Sequence, residues 1–189
     1  MNKLRIHLFT LPRWFALPFF AASILLGVLL AGGSLLTSNA IISIIAGLLI
    51  MAGGHSFNSF LDYEWTGVDK GEVDERSAEK GYTGGQSLIA RGIISSREVL
   101  CNACGWYMCA SILLVYLSLQ TSWMMLVIGV IGMLMTFWYS KSKFNWTHEI
   151  ALGTAVGPIP LLIGMFSVNV DPPWITGIIA SVPIAIILS

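Results

Sequence analysis

The chain carries very little charge. Lys, Arg, Asp and Glu together make up 11% of its 189 residues, whereas soluble domains carry about 25%. Hydrophobic residues account for 56% of the sequence, and the mean hydropathy is +0.78. This composition excludes an ordinary soluble globular domain and indicates an integral membrane protein.

The sequence has no excess of positive or negative charge, and it has few cysteines. Ten basic and ten acidic residues give a formal net charge of zero, so no electrostatic argument favours nucleic-acid binding. The three cysteines are Cys101, Cys104 and Cys109. The first two have the CxxC spacing, but no second Cys or His pair accompanies them. We interpret all three as packed, reduced thiols rather than a zinc or redox site.

Long apolar runs are the dominant feature that is present. A run of about 20 apolar residues is long enough to cross a membrane as a helix. The sequence therefore predicts an all-α bundle of transmembrane helices, treated as a single domain over 1–189. The expected spans are 14–36, 40–57, 99–119, 123–138, 150–170 and 174–189. The last run stops without a charge, a cap or a flanking loop, and we expect the chain to be part of a longer gene product.

The basic residues predict the orientation of the bundle. All ten Lys and Arg residues lie in the segments 1–13, 58–98 and 139–147, and the turns between them on the alternate side have none. Cytoplasmic segments are the ones enriched in Lys and Arg. We therefore expect the N-terminus and both polar loops on the cytoplasmic side of the cell inner or plasma membrane.

The segment 58–98 is the one long polar stretch, with eight of the ten acids and five of the ten bases. It opens with Asn58, Asp62 and Asp69. In a helix Asn58 and Asp62 share one face, and Asp69 lies about 10 Å further along the axis than Asp62. One metal ion cannot contact both carboxylates at that distance. We expect Thr66-Gly67 to loosen or end the helix, which would let Asp69 fold back.

These three oxygen-bearing side chains are the candidate metal ligands. Mg²⁺ prefers oxygen ligands and is usually held by one or two carboxylates together with substrate phosphates. At a membrane surface with nearby Lys and Arg residues, such a site suits a lipid-linked diphosphate. The alternative is that these acids are solvated residues of a loop without a ligand.

The same residues resemble a known family. Asn58-x₃-Asp62-x₆-Asp69 is similar to the first aspartate-rich motif of UbiA-type intramembrane prenyltransferases. The string Asp62-Tyr-Glu-Trp-Thr-Gly-Val-Asp69 looks most like the branch that prenylates 1,4-dihydroxy-2-naphthoate for menaquinone. The likeness continues in order over the rest of the chain, through 83–98, Tyr139-Ser140, Glu149 and Gly157-Pro158.

This resemblance implies a bundle of about nine helices around a central cavity, of which about six spans are present here. It implies Mg²⁺-dependent transfer of a polyprenyl group from a prenyl diphosphate to a small aromatic acceptor in lipoquinone synthesis. It also implies the site residues. The metal ligands would be Asn58, Asp62 and Asp69, with Asp62, Asp69 and Tyr139 catalytic, and with diphosphate contacts from Arg76, Lys80, Lys141 and Lys143. A second aspartate-rich motif belongs after the sixth span, so we expect 1–189 alone to lack part of the metal site.

Two other classes of protein make different demands on the sequence. A lipid phosphotransferase of the CDP-alcohol type should contain Asp-Gly-x₂-Ala-Arg, and that string is not found. A small transporter or assembly factor should show charged residues inside its spans or an inverted repeat, whereas the predicted spans are free of Lys, Arg and Asp.

Within the second span, Gly53-Gly54 should let another helix or a ligand approach the backbone closely. We expect His55 to lie on a different part of the helix surface from Asn58, lining a pore or hydrogen-bonded, and not to be a ligand. We expect His148 to be interfacial.

Overall fold

The computed structural model describes residues 3–67 and 85–188, and no strand occurs among them. After a short helical turn at Lys3–Arg5 come a π-helical turn at Ile6–Thr10 and a 3-10 turn at Trp14–Ala16. The helices that follow are α1 (Leu17–Leu30), α2 (Ser38–Leu61), α3 (Gly85–Ala90), α4 (Ser96–Gln120), α5 (Met124–Lys141), α6 (Thr147–Val156), α7 (Pro158–Val168) and α8 (Trp174–Leu188). This confirms the predicted all-α class.

Among residues 3–67 and 85–188, five helical stretches are long and apolar enough to cross a membrane. They are Lys3–Leu30, Ser38–Trp65, Ser96–Gln120, Met124–Lys141 and Thr147–Val168. The sixth predicted span is a shorter apolar helix, Trp174–Ile187, which at about 1.5 Å per residue is shorter than a bilayer core. The protein is therefore an integral membrane bundle, and its predicted helical segments are confirmed with shifted ends.

The long helix α2 has well-defined ends. Its N-cap residue Thr37 accepts a hydrogen bond from the backbone N–H of Ala40 through its hydroxyl, which satisfies one of the free N–H groups of the first turn. At the other end, α2 runs into a π-helical turn at Asp62–Thr66 and stops at Gly67, whose φ is 59°. A glycine adopts this left-handed conformation without steric cost, so the expected helix end at Thr66-Gly67 is confirmed.

The predicted fifth span, 150–170, is broken into two helices. Helix α6 ends at Val156, Gly157 lies between the two helices, and α7 begins at Pro158, the first residue of its first turn. A proline there loses no hydrogen bond, because the N–H at that position has no partner inside the helix. Beyond the break, α7 packs against α1.

Helices α1 and α7 approach each other through glycine. A Cβ added to Gly27 would collide with the backbone carbonyl of Leu161, and one added to Gly164 would collide with the backbone carbonyl of Ile24. Small residues allow this approach, which is a common way to pack membrane helices. The pair fixes the position of α1, whose Phe20 forms part of the wall of the central cavity.

The cysteines of α4 differ from the prediction. Cys101, Cys104 and Cys109 are free thiols, but they are exposed rather than packed inside the bundle. The outer face of α4 also exposes large apolar side chains such as Met108 and Ile112. A face of this kind contacts lipid in a membrane. A reduced thiol behaves as a small apolar group, so contact with lipid is as favourable for it as burial in a protein core.

Candidate functional site

Asn58 and Asp62 occupy consecutive turns at the end of α2 and its continuation. They are almost completely buried, with 4% and 1% of their surface exposed. The amide Nδ2 of Asn58 donates a hydrogen bond to Oδ2 of Asp62 over 2.9 Å. The predicted common face of these two residues is therefore confirmed, and the pair is not solvated.

The end of α5 and the turn after it complete the site. The hydroxyl of Ser140 donates to Oδ1 of Asn58 over 2.7 Å, and Nζ of Lys143 lies 2.6 Å from Oδ2 of Asp62. The Lys143 side chain is 19% exposed. A buried carboxylate requires such a partner because an isolated buried charge is strongly unfavourable. The two polar segments of the sequence therefore meet at one end of the bundle.

The donor set is of the kind that Mg²⁺ binds. Asp62 offers carboxylate oxygens and Asn58 offers an amide oxygen, both hard ligands. Oδ2 of Asp62 already holds the positively charged ammonium group of Lys143, so a cation is the kind of partner that this buried carboxylate takes. No group of three or more His, Cys, Asp or Glu side chains that could hold a metal occurs in 3–67 or 85–188. These described residues fit one side of a Mg²⁺ site that shares its ion with substrate phosphates.

Tyr139 lies beside this pair and lines the same cavity as Asn58. Its ring packs against the ring of His148, with the centroids 4.3 Å apart. The ring nitrogen Nδ1 of His148 lies 3.2 Å from the Tyr139 carbonyl oxygen. His148 is thus a support for Tyr139 at the start of α6, a contact that its interpretation as an interfacial residue did not include.

The structure separates the two lysines that the sequence treats alike. Lys141 is exposed, and its Nζ lies 4.7 Å from the centroid of the Trp65 ring, a cation–π geometry. The edge of Phe137 packs on the same Trp65 ring. Lys143, by contrast, reaches Asp62. The remaining predicted site residues, Asp69, Arg76 and Lys80, lie outside the described residues and stay predictions.

The chain returns to the site at the start of α3. The backbone N–H of Gly85 donates to the hydroxyl of Ser59 over 2.9 Å, and Ser59 lies between Asn58 and Asp62 in sequence. A Cβ added to Gly85 would press on Ser59 and Leu11. Gly67 and Gly85, the described residues on either side of 68–84, are thus both attached at the end of α2.

A cavity of about 120 Å³ lies next to Asn58, which forms part of its wall. Five of its lining residues are polar or charged: Arg13, His55, Asn58, Thr136 and Tyr139. Most of the rest are apolar residues from α1, α2, α5, α6 and α7, among them Phe20, Ile50, Leu152 and Ile159. The cavity therefore joins a polar end to an apolar interior, as a site for an amphiphilic substrate requires.

For two of these lining residues the prediction from the sequence was incomplete or wrong. Arg13 was interpreted only as a charge that sets orientation. It has a left-handed backbone with a φ of 53°, a conformation that is uncommon for residues other than glycine. His55 was expected on a different part of the helix surface from Asn58, and that is wrong: both line the same cavity, because positions three apart are neighbours on a helix. Its expected pore-lining position is confirmed.

Gly53 and Gly54 perform the role predicted for them. A Cβ on Gly53 would meet the ring of Tyr107 on α4, and a Cβ on Gly54 would meet Thr136 on α5 at 3.2 Å. Both neighbouring helices therefore approach α2 closely at this level. The close approach of α5 brings Tyr139 and Ser140 to the site.

Comparison with known protein families matches residues 20–189 to the UbiA prenyltransferase family. The chain belongs to this family. Comparisons with curated proteins and with solved structures found no match. Membership of the family supports transfer of a prenyl group to an acceptor by an integral membrane protein.

Proposed function

We propose that this protein is a Mg²⁺-dependent polyprenyltransferase that uses a prenyl diphosphate and a small aromatic acceptor. The proposed acceptor is 1,4-dihydroxy-2-naphthoate, on the resemblance of the Asp62–Asp69 string, and the proposed role is menaquinone-type lipoquinone synthesis. The site would face the cytoplasmic side of the membrane, because the basic segments contribute to it.

The observation that carries the proposal is the position of the Asn58–Asp62 pair. Asn58 belongs both to the buried oxygen-donor pair and to the wall of the apolar cavity. A prenyl diphosphate has the same division, since a charged diphosphate is joined to an apolar chain at the reacting carbon. The pair would hold the diphosphate end while the reacting carbon faces the cavity.

The residues take the following roles in this proposal. Oδ1 of Asn58 and the carboxylate of Asp62, with Asp69, would hold Mg²⁺, and bound Mg²⁺ would stabilise negative charge on the departing diphosphate. Lys143 supplies a charge-assisted contact to diphosphate oxygens, and Arg76, Lys80 and Lys141 add to the same positive field. Tyr139 presents an aromatic ring to the cavity, where it would stabilise positive charge on the prenyl carbon.

The test uses the full chain in lipid nanodiscs. Binding of geranylgeranyl diphosphate is measured with Mg²⁺ and with EDTA, and transfer is measured with 1,4-dihydroxy-2-naphthoate. We expect Asp62→Asn to lower Mg²⁺-dependent transfer by about 1,000-fold, because electrostatic stabilisation of this kind accounts for losses of that order. Circular dichroism should show an unchanged helix content.

The matched control is Asp171→Asn, the same change at an exposed acid in the turn before α8. It should leave transfer and binding unchanged. Transfer that survives Asp62→Asn would remove the metal role of Asp62, and transfer that survives EDTA would remove the Mg²⁺ dependence. Transfer by the wild type to a different aromatic acceptor would correct the acceptor alone.

A further inference from the structure

The N-terminal segment, residues 3–13, packs into the bundle beside the candidate site. Ile6 and Leu11 are fully buried and belong to an apolar cluster with residues of α3 and α4. The segment ends at Arg13, which forms part of the wall of the central cavity. The presence of Arg13 in that wall therefore depends on how the N-terminal segment is held.

A proline leaves one carbonyl of this segment without its usual partner. In a π-helical turn a carbonyl accepts from the N–H five residues later, as the first carbonyl of the turn Ile6–Thr10 does over 3.0 Å. The next carbonyl is that of His7, and five residues later comes Pro12, which has no N–H. The side chain of Asn102 on α4 supplies a donor instead, because its Nδ2 donates to the His7 carbonyl oxygen over 3.2 Å.

The other end of the Asn102 amide contacts α2. Its Oδ1 accepts from the indole Nε1 of Trp106 over 3.0 Å and from the hydroxyl of Ser56 over 2.8 Å. An indole N–H can only donate, so the amide oxygen faces Trp106 and the amide nitrogen faces His7. One side chain thus joins the N-terminal segment, α2 and α4, and it does so two positions before Asn58 on α2.

Arg13 brings a positive charge to the cavity wall. Asn58 and Tyr139 belong to the same wall, and the charge of Arg13 is close enough to act on Tyr139. A guanidinium group stays charged and presents several N–H donors in one plane, a geometry that matches carboxylate and phosphate oxygens. The class of ligand that Arg13 favours is therefore an anionic oxygen group.

We propose that Asn102 is a positioning residue, which fixes the N-terminal segment to α2 and α4 and so holds Arg13 where it contacts an anionic group of a substrate. This inference rests on the proposed function, which offers two such groups: the diphosphate of the prenyl donor and the carboxylate of the acceptor. Either group takes the same charge-assisted contact from a guanidinium. Asn102 is not one of the residues that line the cavity, so it acts through Arg13.

Hydrogen exchange, measured by mass spectrometry on the full chain in nanodiscs, tests the attachment of the segment. Asn102→Leu keeps a side chain of similar size but loses the contact with His7, while the Ser56 hydroxyl keeps the Ala52 carbonyl of its own helix as an acceptor, at 3.0 Å. We expect exchange in peptides from the N-terminal segment to become about 10-fold faster, the value of one hydrogen bond of about 1.4 kcal/mol. Exchange in α7 should not change.

Asn102→Asp is a second variant for the same measurement. It keeps the shape of the side chain and its acceptor oxygen but has no N–H donor for the His7 carbonyl. It should also speed exchange in the N-terminal segment. Unchanged exchange in this segment in both variants overturns the positioning role.

Binding experiments test the action through Arg13. The full chain is titrated with geranylgeranyl diphosphate and Mg²⁺, with geranylgeraniol, with 1,4-dihydroxy-2-naphthoate, and with 1,4-dihydroxynaphthalene, so that each anionic ligand has a neutral counterpart. We expect Arg13→Met to weaken at least one anionic ligand by about 10-fold, in the range of a charge-assisted contact, and to spare its neutral counterpart. The ligand that is weakened identifies the group that Arg13 contacts.

A double variant shows whether Asn102 and Arg13 act as one unit. Asn102→Leu alone should weaken the same anionic ligand by about 3-fold to 10-fold. In the Arg13→Met background it should have no further effect, because the contact that Asn102 positions is already absent. A purely structural loss would weaken the anionic ligand and its neutral counterpart alike.

Two control variants match these changes. Arg5→Met removes a positive charge from an exposed position of the same segment, and it should leave binding unchanged. Asn169→Leu removes an asparagine that also joins two segments, with its Nδ2 3.5 Å from the Ala31 carbonyl oxygen and its Oδ1 accepting from the Asp171 N–H. It should lower the midpoint of thermal unfolding and leave ligand binding unchanged.

The results separate this inference from the proposed function. Additive losses in the double variant, or equal losses for an anionic ligand and its neutral counterpart, overturn the inference. The same holds if Arg13→Met affects neither anionic ligand. A wild type that does not bind geranylgeranyl diphosphate with Mg²⁺ would instead contradict the proposed function, and hydrogen exchange would still decide whether Asn102 holds the N-terminal segment.

Discussion

The contact between α1 and α7 and the contact between α2 and α5 use different chemistry. In the first, Gly27 and Gly164 let the two backbones touch. In the second, Asn58, Asp62 and Ser140 join the helices through buried hydrogen bonds. A contact between two backbones tolerates no added atom. A polar network tolerates replacement by a side chain of the same shape, but it does not tolerate a change in charge. We therefore expect the first region to control folding and the second to control activity.

The largest effect on the fold should come from Gly164→Ala. The added methyl group would collide with the backbone carbonyl of Ile24, so α1 and α7 would have to separate. Overpacking typically costs about 1–3 kcal/mol, and a rigid backbone neighbour places this change at the upper end. We expect a lower midpoint of thermal unfolding in detergent and a smaller monodisperse yield.

Gly105→Ala is the control for this change. It makes the same substitution in the interior of α4, where an added Cβ meets no atom within 4 Å. Alanine is the better helix former by about 1 kcal/mol, so the unfolding midpoint should stay the same or rise. An equal loss of stability in both variants would show that the close backbone contact between α1 and α7 is not the cause of the loss in Gly164→Ala.

The next effect in size concerns binding and should come from Lys143→Met. The ammonium group of Lys143 is 2.6 Å from Asp62, and charge-assisted hydrogen bonds contribute about 1.5–3 kcal/mol. We expect the affinity for geranylgeranyl diphosphate to fall by about 10-fold to 100-fold. Binding of Mn²⁺ alone, followed by electron paramagnetic resonance, should become tighter because the competing cation on Asp62 is gone.

Lys141→Met is the matched variant for this measurement. Lys141 is exposed and lies over Trp65, and a cation–π contact at an exposed site contributes about 0.5–1 kcal/mol. Its effect on diphosphate affinity should stay below about 5-fold. Larger loss with Lys141→Met than with Lys143→Met would reverse the assignment of the two lysines.

The smallest effect should come from Ser140→Ala. This change removes the hydroxyl that donates to Asn58 Oδ1, a net loss of about 0.5–1.5 kcal/mol. The amide of Asn58 would be less firmly oriented, and Mg²⁺-dependent transfer should fall by up to about 10-fold. Ser118→Ala, at a serine of α4 whose hydroxyl donates to its own helix backbone, should leave transfer unchanged. An unaffected Ser140→Ala variant would show that Asn58 needs no support from α5.

Local periodicity explains which parts of the site could be predicted. Asn58 and Asp62 share a face because four residues nearly complete one helical turn, and Gly67 ends the helix because glycine adopts a left-handed backbone. The break at Gly157-Pro158 was visible as a proline inside an apolar run. Each of these features depends on residues that are close together in the sequence, so it can be predicted without knowledge of the tertiary structure.

The lysines show what this reasoning could not resolve. Lys141 and Lys143 are two residues apart in one polar loop, and both were predicted to contact the diphosphate. Helix α5 continues through Lys141 and ends there, so Lys141 points outward over Trp65 while Lys143 in the turn reaches Asp62. The helix end was expected three residues earlier, and that error changes the direction of each side chain.

Sequence alone determined the membrane-embedded helical class, the segments that span, and the pairing of Asn58 with Asp62, because hydropathy and helical repeat are properties of adjacent residues. Tertiary structure alone decided that Arg13 and His55 share a cavity with Tyr139 and that Ser140 supports Asn58 from 82 positions away. Contacts at such separations depend on how closely helices approach and at what rotation. The glycines at the helix contacts set that approach, but their effect is visible only when both helices are in place.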